Sequence, residues 1–449
     1  MSTVRPARRR ASAPAVWAWV LYDLSNTIFS VSILSFFFPV WLGDELGAGA
    51  GTVNAAAALS AALVLVTAPA VGAVADLRQR RVPYLIVLTL LACGFTAALD
   101  AAGGVVVAVA LFVAADLAYQ SALVFYNALL PVVAAGRGAG RVSGYGTAAG
   151  YVGSIFALLV LTLFVTHGEE ARALLGPLGR WIEPGETSSN AFVPTAALYL
   201  LFSLPAFFLV PDPQVREPRP GGLGRAYRDV LLTLRGLRGY RGMAPFLLST
   251  LLYTDAANTA ISNMALYGRE VFGMQSQEIR NLLLFSTVFA VAGSFGCGFL
   301  ADRWGPRRAL MAVLVLWLAA ILLAAGAVSA WMLYVAGPLV GVALGGTWTA
   351  GRPMLVALSP PEKLGEFFGL YSFAGKVSAV AGPAVTALLL FGLEDLGAAA
   401  YRISVGSLAL VMVLAMLALA RVPDLRPAGV VDRYAPEVLV SRENGEVVR

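Results

Sequence analysis

The stretch WVLYDLSNTIFS, residues 19–30, lies in one of the most apolar parts of the chain, yet it carries Asp23 and, three residues on, Asn26. A carboxylate in hydrocarbon costs several kcal/mol unless it is paired or faces a wet cavity. Whether this stretch crosses a membrane therefore decides the fold. Of the 449 residues, 59% are hydrophobic and 13% charged, and the mean hydropathy is +0.77. A soluble domain carries roughly 25% charged and 45–50% apolar residues. Glycine is abundant (46 residues), as expected where helices pack closely without a hydrophobic drive between them. The chain reads as a multi-pass integral membrane protein.

Apolar runs of about 20 residues cross the hydrocarbon core. Twelve such runs occur, at 16–42, 51–75, 83–101, 104–134, 143–166, 191–210, 244–267, 279–301, 308–328, 331–357, 367–392 and 398–421. With the N-terminus cytoplasmic, 25 of the 32 basic residues fall on that side, five on the other, and two, Arg352 and Lys376, inside spans. So strong a positive-inside asymmetry puts both termini in the cytoplasm. It also accounts for most of the net charge of +6, so no nucleic-acid partner is expected. The first run is too long for a signal-peptide core and contains Asp23. In the linker, GLGRAYRDVLLTLRGLRGYRG sets Tyr227, Val230, Leu231, Leu234 and Leu237 at helical spacing with arginines on another face. That pattern predicts an interfacial helix on anionic lipid.

The chain is written twice. DLSNT at 23–27 answers DAANT at 255–259, offset by 232; GAVADLRQRR at 72–81 answers GFLADRWGPRR at 298–308, offset by 226. SGYGTAAGYVGS at 143–154 answers FGLYSFAGKVSA at 368–379, offset by 225. Three ordered matches at nearly constant offset predict two six-span halves, parallel repeats about an axis along the membrane normal. The expected layout is an all-α membrane protein: a basic cytoplasmic tail (1–15), an N-terminal six-helix bundle (16–210), a cytoplasmic linker (211–243), a C-terminal six-helix bundle (244–421) and a second tail (422–449).

Gly72, Asp76 and Arg80, with Gly298, Asp302, Arg303, Arg307 and Arg308, sit at equivalent second-to-third-span turns. Positive-inside topology explains the arginines but not the paired Gly and Asp. Gly permits close helix approach and Asp can cap a neighbouring helix terminus, so the pattern predicts a breakable cytoplasmic latch.

Twelve spans in two halves with GFLADRWGPRRAL at 298–310 resemble the major facilitator superfamily. YDLSNTIFS (22–30), FYNALLP (125–131), GGTWTAGRPML (345–355) and FGLYSFAGKVSAVAGP (368–383) resemble its vacuolar-effluxer-like, autophagy-related branch of amino-acid exporters. The resemblance implies a secondary transporter in a bacterial cell membrane. It would move a small polar solute, a neutral amino acid, by alternating access with protons as coupling ion. The alternatives are a proton-coupled drug exporter, or a receptor or lipid-moving protein of the same fold. It also implies that spans one, four, seven and ten, which hold Asp23, Asp116, Asp255 and Arg352, line the cavity.

Inside the spans stand five charges: Asp23, Asp116, Asp255, Arg352 and Lys376. Such residues usually mark a pathway or proton relay, with static pairing between helices as the plainer reading. Three acids against two bases leave one carboxylate over, in surroundings that favour its protonated form. Asp255 and Lys376 each lie about 15 Å in from the cytoplasmic edge, the best pair by depth. Asp23 is then expected to carry the proton, with Asp116 in reserve. Asn26, Asn127 and Asn258 add neutral donors and acceptors suited to a zwitterion. One histidine, His167, in a loop, and two cysteines, Cys93 and Cys297, in apolar runs offer no metal site or nucleophile. There is no phosphate-binding loop. No enzyme activity and no cofactor are expected, and the partners are the solute, protons and membrane lipid around a monomer.

Overall fold

The computed structural model describes residues 10–78, 80–213 and 222–424. Arg5, Arg8, Arg9, Gln79, Arg216, Arg219 and the tail from 425 lie outside them. Helices dominate. In chain order they are α1 Ala13–Glu45, α2 Gly49–Arg78, α3 Val82–Ala101, α4 Val105–Val133, α5 Ala139–Thr166 and α6 Ser188–Leu209, then the linker helix Leu223–Arg235. There follow α7 Met243–Phe272, α8 Ser276–Trp304, α9 Pro306–Ala325, α10 Ala330–Leu358, α11 Leu364–Gly392 and α12 Ala398–Ala420. Among the described residues ten of these are long and apolar enough to cross a membrane. Two more, α7 and α11, match them in length at 30 and 29 residues but carry Asp255 and Lys376 in their interiors.

Several helices outrun the apolar runs that mark them: α1 starts at Ala13, where the Ser12 hydroxyl accepts from the Ala15 amide, and α7 runs on to Phe272. An apolar run measures only the hydrocarbon layer, whereas the helix continues into the headgroup zone. The α1 rod is α-helical through Phe29 and widens into π turns over Ser30–Phe36 and Trp41–Glu45.

The repeat is visible in the packing. In the first half α1 lies against α5 and α6, and α3 against α4 and α6; in the second, α7 lies against α11 and α12, and α9 against α10 and α12. The halves meet most extensively at two crossings, α2 on α11 and α5 on α8. Both depend on glycine. A Cβ on Gly365 would fall 2.5 Å from the Gly72 carbonyl oxygen, and one on Gly140 equally 2.5 Å from that of Gly298. Backbone therefore meets backbone at the end of the molecule near the first and last described residues.

Each crossing is locked by a carboxylate on a helix N-terminus, where free amides and the helix dipole favour negative charge. Asp76 accepts from the Gly365 and Glu366 amides at 2.8 and 2.7 Å. Asp302 accepts from the Gly140 and Arg141 amides at 2.8 and 3.1 Å and from Arg141 Nε at 2.9 Å. Of the arginines read into the latch, Arg80 and Arg303 are exposed and make none of these contacts. Arg307 donates to the Leu419 and Ala420 carbonyls at the end of α12, and Arg308 pairs with Asp424 at 2.6 Å. These arginines fasten helix ends within the second half. Asp424 belongs to a repeat that constant spacing hides, Val-Pro-Asp at 210–212 and again at 422–424. Asp212 accepts from the Arg81 and Val82 amides at the start of α3.

Asp76→Asn and Asp302→Asn should each weaken the closed end by about 1 kcal/mol. Gly365→Val should do more, because overpacking of this kind costs about 1–3 kcal/mol. Distance distributions between spin labels on the two halves check both; unchanged distributions in all three variants would reduce the latch to a topology signal.

Candidate functional site

The charges inside the spans sort themselves across the seam between the halves. Asp23 on α1 meets Arg352 on α10 in a fork, with Nη1 to Oδ2 at 2.7 Å and Nη2 to Oδ1 at 3.1 Å. Both side chains are nearly enclosed. Bidentate geometry is the strong form of this interaction. The guanidinium also lies over two rings, 5.7 Å from the centre of Trp19 and 5.6 Å from that of Tyr126. Those rings stack at 4.5 Å, and Trp19 Nε1 donates to the Tyr126 carbonyl at 3.2 Å. Trp19 stands one helical turn before Asp23, so both project from one face of α1. Gly146 of α5 makes room for them: a Cβ there would fall 2.7 Å from both Asp23 Oδ2 and the Trp19 ring.

Asp116 on α4 is the second acid with a partner across the seam. Lys376 Nζ of α11 stands 4.0 Å from its Oδ2. Ser60 donates to the same oxygen, and Gln120 donates to Oδ1 at 3.0 Å.

This corrects the pairing of Asp255 with Lys376. Equal depth does not fix the direction a side chain takes round its helix. Asp255 faces Gly382 of α11, whose Cβ would fall 2.8 Å from its Oδ1. Gly382 lies six residues after Lys376, about 240° further round the helix, so Lys376 points instead across the seam. Asp255 has no ion-pair partner among the described residues, and its Oδ1 accepts no hydrogen bond there. Thr259, one turn on and also beside Gly382, leaves its buried hydroxyl equally unengaged.

The asparagines divide. Asn26 is fully buried inside the first half, where Tyr199 donates to its Oδ1 at 3.3 Å. The adjacent Tyr22 and Thr89 hydroxyls lie 2.6 Å apart, and this polar knot fixes α1 to α3 and α6. Asn127, next to Tyr126, is half-buried with its Oδ1 unengaged, and Asn258 is half-buried on α7. Cys93 and Cys297 are buried free thiols, and the exposed His167 ring nitrogen shares a hydrogen with Thr166. Among the described residues no cluster of ligands could hold a metal ion.

A family model described as vacuole effluxer Atg22 like matches residues 136–426. The chain belongs to the Atg22-like effluxer family. It is 26% identical to an uncharacterized protein of Aquifex aeolicus, over 84% of this chain and 90% of that one. It is 24% identical to YxiO, an uncharacterized MFS-type transporter of Bacillus subtilis, over 83% and 88%. Autophagy-related protein 22-1 of Aspergillus niger is 22% identical over 56% of this chain and 42% of its own length. In fold the chain is similar to the human organic anion transporter MFSD10 (TM-score 0.68, 15% identity, 90% of this chain and 98% of that one). It is also similar to FucP in its outward conformation (TM-score 0.66, 14% identity, 90% and 98%). This Atg22-like chain thus has the fold of these major facilitator superfamily transporters.

The aromatic shelf under Arg352 was not read from the sequence, although Trp19 and Tyr126 both stand in the motifs quoted above. The signal was an aromatic residue one turn before an intramembrane carboxylate. Asp23→Asn or Arg352→Met leaves the other charge enclosed and alone, a loss of about 3–5 kcal/mol. In thermal melts of detergent-solubilised protein each single variant should fall well below wild type, and the double variant should recover most of the loss. Asp255→Asn abandons no base and should melt like wild type.

Proposed function

We propose that this Atg22-like protein exports a small zwitterionic solute, a neutral amino acid, in exchange for protons, with 16–210 and 244–421 as the two rocking bodies. The observation that carries the reading is the charge pattern across the seam. The first half supplies the acids Asp23 and Asp116, and the second supplies the bases Arg352 and Lys376 that meet them. An α-amino acid offers the same two charges on one small molecule. Its carboxylate can take the place of Asp23 on the planar fork of Arg352, and its ammonium can take the place of the base beside a carboxylate. Solute would thereby replace contacts that hold the halves together.

The proton role passes from Asp23 to Asp255. Asp23 is paired with Arg352 and Asp116 faces Lys376, whereas Asp255 is the intramembrane carboxylate without a base among the described residues. With the basic loops in the cytoplasm, both termini are cytoplasmic and the latched end is the inner one, so the closed end faces the cytoplasm.

Purified protein in liposomes should exchange radiolabelled neutral amino acids by counterflow. Analogues lacking either the amino or the carboxyl group should compete at least tenfold more weakly, since each charge-assisted contact is worth about 1.5–3 kcal/mol. Asp255→Asn should flatten the pH dependence of proton-driven transport while sparing counterflow. An unchanged pH profile would remove Asp255 from the proton pathway. If lipophilic cations compete and amino acids do not, the drug-exporter reading takes over. It would draw on the apolar cavity of about 150 Å³ among Ile261, Met264, Leu283, Val340 and Leu344.

A further inference from the structure

The two latches are built alike but charged differently. At the α5–α8 crossing the residue beside the capped amide is Arg141, whose side chain adds an ion pair to Asp302. At the α2–α11 crossing the equivalent residue is Glu366, a carboxylate placed next to the carboxylate of Asp76. Glu366 is 3% exposed, so water does little to relieve this like-charge contact. Relief comes from two places. Arg81 lies 3.7 Å from Asp76, and Glu366 itself is held by Lys363 at 3.5 Å, whose ammonium also reaches the Thr233 hydroxyl.

Thr233 is not part of either bundle. It belongs to the linker helix, which packs on α2 through a buried stripe of Ala226, Val230 and Thr233. Lys363 donates to Thr233 and lies over the ring of Tyr240, just beyond that helix. The α2–α11 latch therefore holds a buried acid whose basic partner is held by a peripheral helix. The other latch borders instead on the N-terminal segment, through the Ala11 amide on the Ala135 carbonyl and Arg137 on the Ala11 carbonyl.

The rest of the linker helix is turned outward. Tyr227, Leu231 and Leu234 form an exposed apolar flank beside the buried stripe, Leu231 at 54% and Leu234 at 45% exposure. Arg228 and Arg235 lie exposed next round the helix, and Arg238 and Arg241 follow, also exposed. An apolar flank bordered by arginines at the level of helix ends fits the boundary between acyl chains and anionic headgroups. A water-facing surface would not keep three such side chains in a row.

We propose that the linker helix is an anchor for anionic phospholipid, and that this anchorage tightens the α2–α11 latch through Thr233. Lipid that fixes the helix against the membrane holds Thr233 on Lys363 and Lys363 on Glu366, and so favours the state in which the latched end is closed. The coupling concerns the latch and does not depend on the identity of the solute.

The test uses the full chain with Cys93 and Cys297 replaced by Ala, in vesicles of phosphatidylcholine with or without phosphatidylglycerol. Spin labels at Arg80→Cys and Arg303→Cys, exposed positions outside both latches, report the distance between the halves. An environment-sensitive dye at Tyr227→Cys, in a separate sample, reports contact with lipid. Anionic lipid should raise the ratio of closed to open populations by about threefold or more and shift the dye emission to the blue. Leu231→Glu with Leu234→Glu should abolish both responses. Thr233→Val should keep the dye shift and lose the distance response. Identical distance distributions in the two lipids, or a distance response that survives Thr233→Val, would overturn the proposal. A dye shift of equal size in both lipids would overturn its anionic part. Neither readout involves transport, so failure here leaves the amino-acid reading standing, and failure there leaves this one.

Discussion

A charge inside a bilayer needs a partner, a proton or water, and this requirement organises the Atg22-like chain more than any other. Four of its five intramembrane charges meet in pairs, and each pair reaches from one half to the other. The pairs thus serve as ties between bodies that must also part. A tie made wholly within one half would stabilise that half and be indifferent to which side is open. Placed across the seam, the same interaction becomes sensitive to the rocking motion, because separating the halves exposes both ends of it to whatever fills the gap.

Much of this could be read before any coordinates. Composition and span length lead to the membrane, Gly72 with Asp76 and Gly298 with Asp302 lead to the repeat, and the repeat leads to the two crossings. What resisted reading was direction round a helix. Depth along the axis follows from counting residues, but azimuth follows from packing, so Lys376 was assigned to Asp255 when its reach is across to Asp116. Asn26 was read into the cavity in the same way. It shares a helix with Asp23, but three residues is short of a full turn, and it faces Tyr199 inside the first half. The Val-Pro-Asp repeat escaped because the segments between its copies differ in length, which breaks the constant offset that exposed the other three matches.

The glycines explain why the motif SGYGTAAGYVGS looks as it does. Gly146, Gly150 and Gly153 allow α5 to lie against Asp23, Thr27 and Leu24 of α1, while Gly144 turns to Ser294 of α8. One helix therefore touches both halves closely, on two faces. Side chains in either row would have to push one neighbour away. Small residues give membrane helices this kind of approach where the hydrophobic effect gives them no reason to associate.

The latches recognise main chain. Asp76 and Asp302 bind amide hydrogens, which every residue except proline presents, so the side chain at the bound position is left open to change. Arg141 and Glu366, opposite in charge, occupy equivalent sites without altering the two hydrogen bonds that each carboxylate makes to the backbone. A fastening of this kind passes through sequence drift unharmed so long as the glycine before it stays. Correlated substitution between the two sides of such a joint would then be faint, and divergent relatives could keep the joint while sharing almost nothing at the position it grips.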